Sequence, residues 1–124
     1  MVANGKILAI DDDETNLWLL KETLASKGYD VLTAESGEHG IALAISNKPD
    51  LILLDVMMPV MNGYATLKKL KDKPATRDIP VIMVTAVGGE YDKKLANSQG
   101  VAGYVTKPID FTSLLAEMKR HLPF

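Results

Sequence analysis

The amino-acid sequence predicts an α/β fold of three layers, a doubly wound (βα)5 arrangement in which helices cover both faces of a five-stranded parallel sheet. Three observations carry that expectation. Five short apolar runs alternate with amphipathic stretches along the 124 residues. Three of those runs are continuously apolar, as strands buried on both faces must be. Gly, Pro, Asn or Asp marks each junction. The length suits one domain with one core and leaves no room for a second.

The first strand is expected over Lys6 to Ile10. A helix should follow from Thr15, which can cap it, carrying Leu20 and Leu24 inward until Gly28 stops it. Trp18 falls about 200° round that helix from Leu20; packing against a neighbouring loop is its ordinary explanation, and exposure to a partner is the alternative. Val31 to Ala34 forms the second strand. Ser36 caps the second helix, in which Ile41, Ala44 and Ile45 share a face and Pro49 lies just past the end. Leu51 to Leu54 and the helix Tyr64 to Lys71 make the third unit. Val81 to Val84 and a weaker helix over Tyr91 to Ser98 make the fourth. Gly103 to Val105 is the last strand, and the last helix begins at Asp110 or Thr112 with Leu114, Leu115, Met118 and Leu122 inward. Lys119, Arg120 and His121 crowd its C-terminus, where the helix dipole favours positive charge.

Composition removes several function classes. With no cysteine there is no disulfide, thiolate nucleophile or Cys-based zinc site, which fits a reducing compartment. His39 and His121 stand far apart, outside any metal-ligand spacing, and read as surface histidines. Fourteen basic against 16 acidic residues give a net charge of -2, no footprint for direct nucleic-acid binding. No apolar run approaches the ~20 residues of a membrane span, and the N-terminus lacks a signal-peptide core, so a cytoplasmic location is expected.

Chemistry should concentrate at the carboxyl ends of the strands. Strand one runs into Asp11-Asp12-Asp13-Glu14, where like charges repel unless a cation or solvent relieves them. Strand three runs into Asp55. Carboxylates converging from neighbouring strand ends form an all-oxygen site that suits Mg²⁺. Strand four ends in Thr85 and strand five in Lys107-Pro108, which bring a hydroxyl and an ammonium to the same rim. Phosphoryl oxygens call for such donors. Taken singly, each residue has an ordinary reading: a solvated acidic loop, a turn-capping Asp, a turn Thr, a surface Lys.

Together, ILAIDDDETN, LILLDVMMPVMNG, VIMVTA and GYVTKPID resemble, in order and spacing, the signatures of two-component response-regulator receiver domains. Thr85 follows Asp55 by 30 residues and Lys107 follows it by 52, as in that family. The resemblance covers essentially the whole chain, so residues 1–124 are expected to form one receiver domain without an output domain, of flavodoxin-like fold and strand order 2-1-3-4-5. It implies that Asp55 accepts a phosphoryl group and that Asp12, Asp55 and the carbonyl of Met57 ligate Mg²⁺, with Asp11 acting partly through water. It implies that Thr85 and Lys107 contact the phosphoryl group, that Thr85 and Tyr104 switch together, and that the Lys107–Pro108 peptide is cis. Tyr104 read alone is a half-buried strand tyrosine.

The implied donor is a sensor histidine kinase or a histidine phosphotransfer protein. The implied output is a downstream protein bound by the fourth helical stretch, the fifth strand and the fifth helical stretch, or a phosphorylation-dependent dimer. Such a domain is not an enzyme beyond its own phosphorylation and dephosphorylation. Gly88-Gly89 and the sparse apolar anchors of Tyr91 to Ser98 fit a mobile output face. Met57 and Val87 replace the polar side chains that orient the hydrolytic water in fast members, so a long-lived phosphoryl group is expected.

Two rivals remain. Asp11 to Thr15 also matches the DxDxT motif of haloacid-dehalogenase-like phosphatases, with Asp11 and Asp13 as their working pair. That reading lacks a further acidic motif after the lysine and leaves LDVMMPVMNG unexplained. A flavin or nucleotide carrier would need a phosphate-binding loop after strand one, where four acids would repel a phosphate.

Overall fold

A computed structural model describes residues 5–56, 62–85 (Thr85 by its backbone) and 100–122. Met57, Val87, Gly88-Gly89 and the helix expected over 91–98 lie outside the described residues. The strands are β1 (Lys6–Ile10), β2 (Asp30–Ala34), β3 (Leu51–Asp55), β4 (Val81–Thr85) and β5 (Gly103–Thr106). All pairings are parallel and the sheet order is β2-β1-β3-β4-β5, as expected. Between the strands run α1 (Glu14–Ser26), α2 (Gly37–Asn47) and α3 (Gly63–Asp72); the C-terminal helix α4 (Phe111–His121) is the last of those expected.

The continuous apolar runs have the two-sided burial they implied. Alternate residues point to opposite faces. Leu8, Ile10, Ile52, Leu54, Val81 and Met83 build one core with Ile41 and Ala44 of α2 and Leu67 and Leu70 of α3. Ile7, Ala9, Leu51, Leu53, Ile82 and Val84 build the other with Leu17, Leu20 and Leu24 of α1 and Leu114 and Met118 of α4. The inward pattern expected of the last helix holds fully for Leu114 and Met118, whereas Leu115 and Leu122 are partly buried against the same core.

Local chemistry corrects several sequence expectations. Asp13, not Thr15, caps α1: its Oδ1 accepts the backbone N–H of Thr15 at 2.9 Å and of Asn16 at 3.3 Å. A carboxylate is a strong cap and also complements the positive helix terminus. Gly28, at φ 93°, ends that helix as expected. Ser36 caps α2, accepting His39 N–H at 3.1 Å. Ile45, however, is 41% exposed. The buried stripe is Gly37, Gly40, Ile41 and Ala44, and Ile45 lies about 90° from its centre at ~100° per residue. Asn62 caps α3 by accepting Ala65 N–H at 2.9 Å, and Asp110 caps α4.

Gly63 opens α3 at a crowded point. A Cβ there would stand 2.7 Å from Val56 Cα and closer still to the carbonyl oxygen of Asp55. Only glycine lets the helix start approach the end of β3 this closely. His121 departs from a plain surface histidine: it is half-buried, and its Nε2 lies 3.6 Å from Glu117 Oε1 without a hydrogen bond. No helix among the described residues is long and apolar enough to cross a membrane.

Candidate functional site

Strand register assembles the site. Ile10 pairs with Leu54, so the next residues, Asp11 and Asp55, emerge side by side at the carboxyl edge. Asp55 pairs with Val84, and Thr85 pairs with Thr106, which brings Thr85 and Lys107 to the same edge from the other side. Both central carboxylates are buried, Asp11 at 3% and Asp55 at 4% exposure. Asp12 is exposed. One carboxylate oxygen from each of Asp11, Asp12 and Asp55 lies within 4.8 Å of the others.

Carboxylates this close in a partly desolvated pocket repel strongly, and the fold supplies a cation. Lys107 Nζ donates to Asp11 Oδ2 at 3.2 Å and to Asp55 Oδ1 at 3.4 Å. Burial pulls the Lys107 ammonium toward deprotonation, and the Asp11 and Asp55 carboxylates outweigh it, so its pKa rises above the ordinary lysine value. The Lys107–Pro108 peptide is cis.

Asp11 is held further. Its Oδ1 accepts the backbone N–H of Asp13 at 3.0 Å, its Oδ2 accepts Asn16 Nδ2 at 3.4 Å, and its own N–H donates to Ala34 O at 3.1 Å. Asn16 was not singled out in the sequence. Its position five residues after Asp11, within the first turn of α1, is the signal that could have found it. Asp13 stands apart from the cluster because its carboxylate is spent on the helix cap. That removes the second working aspartate of a DxDxT phosphatase. Tyr104 is half-buried in β5 and packs against the α2/α3 core. It borders a cavity of about 260 Å³ that Thr106, Ser113 and Glu117 also line. The Thr85 side chain and Met57 lie outside the described atoms.

A groove of about 490 Å³ leads to Lys107 between α1 and α4, lined by Asn16, Leu19, Lys107, Pro108, Ile109 and Phe111. Its lining is largely apolar and includes Lys107, whose ammonium bridges the two aspartates.

Comparison with known proteins agrees with this geometry. Residues 7–119 match the family model described as response regulator receiver domain. The chain is 43% identical over 116 residues to Response regulator PleD of Caulobacter vibrioides, covering 94% of this chain and 26% of PleD. It is 42% identical over 111 residues to Protein PilH of Pseudomonas aeruginosa, covering 90% of this chain and 92% of PilH. The chain thus spans about a quarter of one relative and most of the other. Among solved structures, chemotaxis protein CheY4 of Vibrio cholerae superposes with a TM-score of 0.91 at 31% identity, covering 98% of this chain and 100% of that one. The haloacid-dehalogenase alternative gains no support. By its sequence, its sheet order and the acidic pocket at the carboxyl edge, the chain belongs to the response regulator receiver domains of two-component signalling.

Proposed function

We propose that Asp55 is the phosphoryl acceptor of this receiver domain and that Asp11, Asp12, Thr85 and Lys107 are its working neighbours. The observation that carries the reading is the Lys107 ammonium, within 3.4 Å of two buried carboxylates from adjacent strand ends. A carboxylate meant only to cap a turn needs neither that burial nor that company.

The residues fit a divalent cation. Three carboxylates offering oxygens within 4.8 Å form a hard donor set, suited to Mg²⁺ and poor for thiophilic metals. Asp12, Asp55 and the Met57 carbonyl would hold the ion, with Asp11 acting through water. Bound there, Mg²⁺ would offset negative charge on the acceptor and on the incoming phosphoryl oxygens.

The chain's own groups do the rest. An Asp55 oxygen attacks the phosphorus of a phosphohistidine carried by a sensor histidine kinase or histidine phosphotransfer protein; the P–N bond breaks, its electron pair stays on the histidine nitrogen, and the donor's imidazole is the leaving group. Lys107 already touches Asp55, so a small swing of its ammonium from Asp11 toward a phosphoryl oxygen neutralises the transferred group. The apolar groove lined in part by Lys107 gives the donor its approach. Thr85 then closes on the phosphoryl group, and Tyr104 turns into the space vacated, biasing a pre-existing equilibrium. The surface made by residues 91–98, β5 and α4 carries that bias to a downstream protein or to a second copy. The domain catalyses only its own modification, and its place is the cytoplasm.

Incubation with acetyl phosphate tests this directly. Phosphoryl incorporation should require Mg²⁺ and stop on addition of EDTA. Undiminished incorporation in EDTA overturns the metal assignment, and no incorporation with any phosphodonor overturns the acceptor reading.

A further inference from the structure

Trp18 is the single tryptophan of the chain, and it is 63% exposed on α1. Residues four apart share a helix face, so Glu14 and Glu22 stand one turn before and one turn after it. Thr33 and Glu35, at the end of β2, form the far wall of a cavity of about 250 Å³ that Glu14, Leu17, Trp18 and Lys21 also line. β2 is an edge strand, so the sheet does not extend over this wall. Among the described residues, neither Glu14 nor Glu35 has an ion pair. Among the residues that line the cavity, two carboxylates, Glu14 and Glu35, stand against the single ammonium of Lys21, so the rim is acidic.

An indole open to solvent beside unpaired carboxylates is chemically selective. A cation stacks on its face, and a planar guanidinium stacks while donating to carboxylates in its own plane, which a compact ammonium does less well. Tryptophan is also among the side chains that most often dominate binding energy at protein interfaces. A second copy of this acidic rim, or an anionic ligand, would meet like charge. The cavity lies on the β2 side of α1, whereas the Lys107 groove is reached past Leu19, about 100° away on the same helix.

We propose that the Trp18 cavity docks an arginine side chain from a basic peptide segment of a partner protein, with the guanidinium over the indole and Glu14 and Glu35 accepting its N–H donors. The site is distinct from the phosphoryl pocket and its occupancy does not depend on Asp55.

Because Trp18 is the only tryptophan, its fluorescence reports the site directly. Titration with an acetylated, amidated hexa-arginine peptide should give a saturable emission change, with the hexalysine peptide binding several-fold more weakly. By calorimetry, Trp18→Leu should weaken hexa-arginine binding by about fivefold, the scale of a surface cation–π contact. Glu35→Gln should weaken it similarly, and Ile45→Ser, at an exposed apolar position on α2, should leave it unchanged. Trp18→Leu should also keep wild-type phosphorylation by acetyl phosphate. Equal binding to wild type and Trp18→Leu would reduce the effect to diffuse charge attraction and overturn the proposal. So would an emission shift on concentrating the protein alone, accompanied by dimer in sedimentation, because a second copy would then fill the cavity.

Discussion

Replacing Asp55 by asparagine takes one charge out of a crowded group while keeping its shape, and the structure sets the sign of the effect on stability. Among its described charged neighbours, Asp55 loses repulsion from two carboxylates within 4.8 Å and attraction to the Lys107 ammonium at 3.4 Å. With an effective dielectric of ~20, each repulsion at that separation is about 3.5 kcal/mol and the attraction about 5 kcal/mol. The two repulsions exceed the attraction by ~2 kcal/mol, and screening at exposed Asp12 lowers the net to ~1–2 kcal/mol. The substituted carboxamide would still accept a hydrogen bond from Lys107. Without metal, therefore, Asp55→Asn should be the more stable protein. Adding Mg²⁺ should reverse the order, because only the wild type keeps the full ligand set, and a ligand at 100 times its Kd contributes ~2.7 kcal/mol. Urea unfolding followed by circular dichroism at pH 7 and fixed ionic strength, in EDTA and then in Mg²⁺, gives both differences. A variant less stable than wild type in EDTA, or equal stabilisation of both by Mg²⁺, would refute the reasoning.

Three further outcomes follow from the same geometry. Gly63→Ala puts a methyl group against the backbone of Asp55 and Val56 and not against a yielding side chain, so it should cost ~1–3 kcal/mol in urea unfolding despite alanine's better helix propensity; a neutral result would contradict the close approach. Lys107→Met should destabilise by roughly 1.5–3 kcal/mol, since it removes the ammonium that offsets the buried carboxylates of Asp11 and Asp55. Because the folded-state pKa of Lys107 lies above its ordinary 10.5, that difference should be fully present below pH 10.5 and fade only as pH rises through the higher folded value; a difference that faded near neutral pH would point to another group. Finally, the double substitution Met57→Asn and Val87→Glu should accelerate loss of the phosphoryl group once the donor is removed, and an unchanged or slower decay would dismiss the shielding role of these two apolar residues.

The fold was legible because burial on both faces of a parallel sheet leaves a signal that short strands cannot hide. ILAI, LILL and VIMV fall within β1, β3 and β4; β3, β4 and β5 each run one position further than the expected strand, whereas β1 ends as expected at Ile10, just before Asp11. Asp55, Thr85 and Thr106 are therefore strand ends and not loop residues. What the pattern could not resolve was competition among neighbours of similar chemistry. Asp13 and Thr15 can both cap α1, and the carboxylate wins because it reaches two backbone N–H groups. Ile45 fits the helical period but falls beside a stripe that two glycines had already moved toward the sheet. The Lys107 bridge to Asp11 and Asp55 and the hydrogen bond from Asn16 depend on register and side-chain reach, which no spacing along the chain records. Packing against a loop was the ordinary explanation for Trp18, and the structure corrects it: the side chain is 63% exposed, because periodicity says only that the position faces away from the core and not what covers it.

Intact-mass spectrometry after incubation with acetyl phosphate and Mg²⁺, performed side by side on wild type, Asp55→Asn and Asp13→Asn, tests the central claim most directly. The wild type and Asp13→Asn should both gain the mass of one phosphoryl group and Asp55→Asn should not. A full shift in Asp55→Asn, or its loss in Asp13→Asn with the fold intact by circular dichroism, would place the acceptor elsewhere and contradict the account.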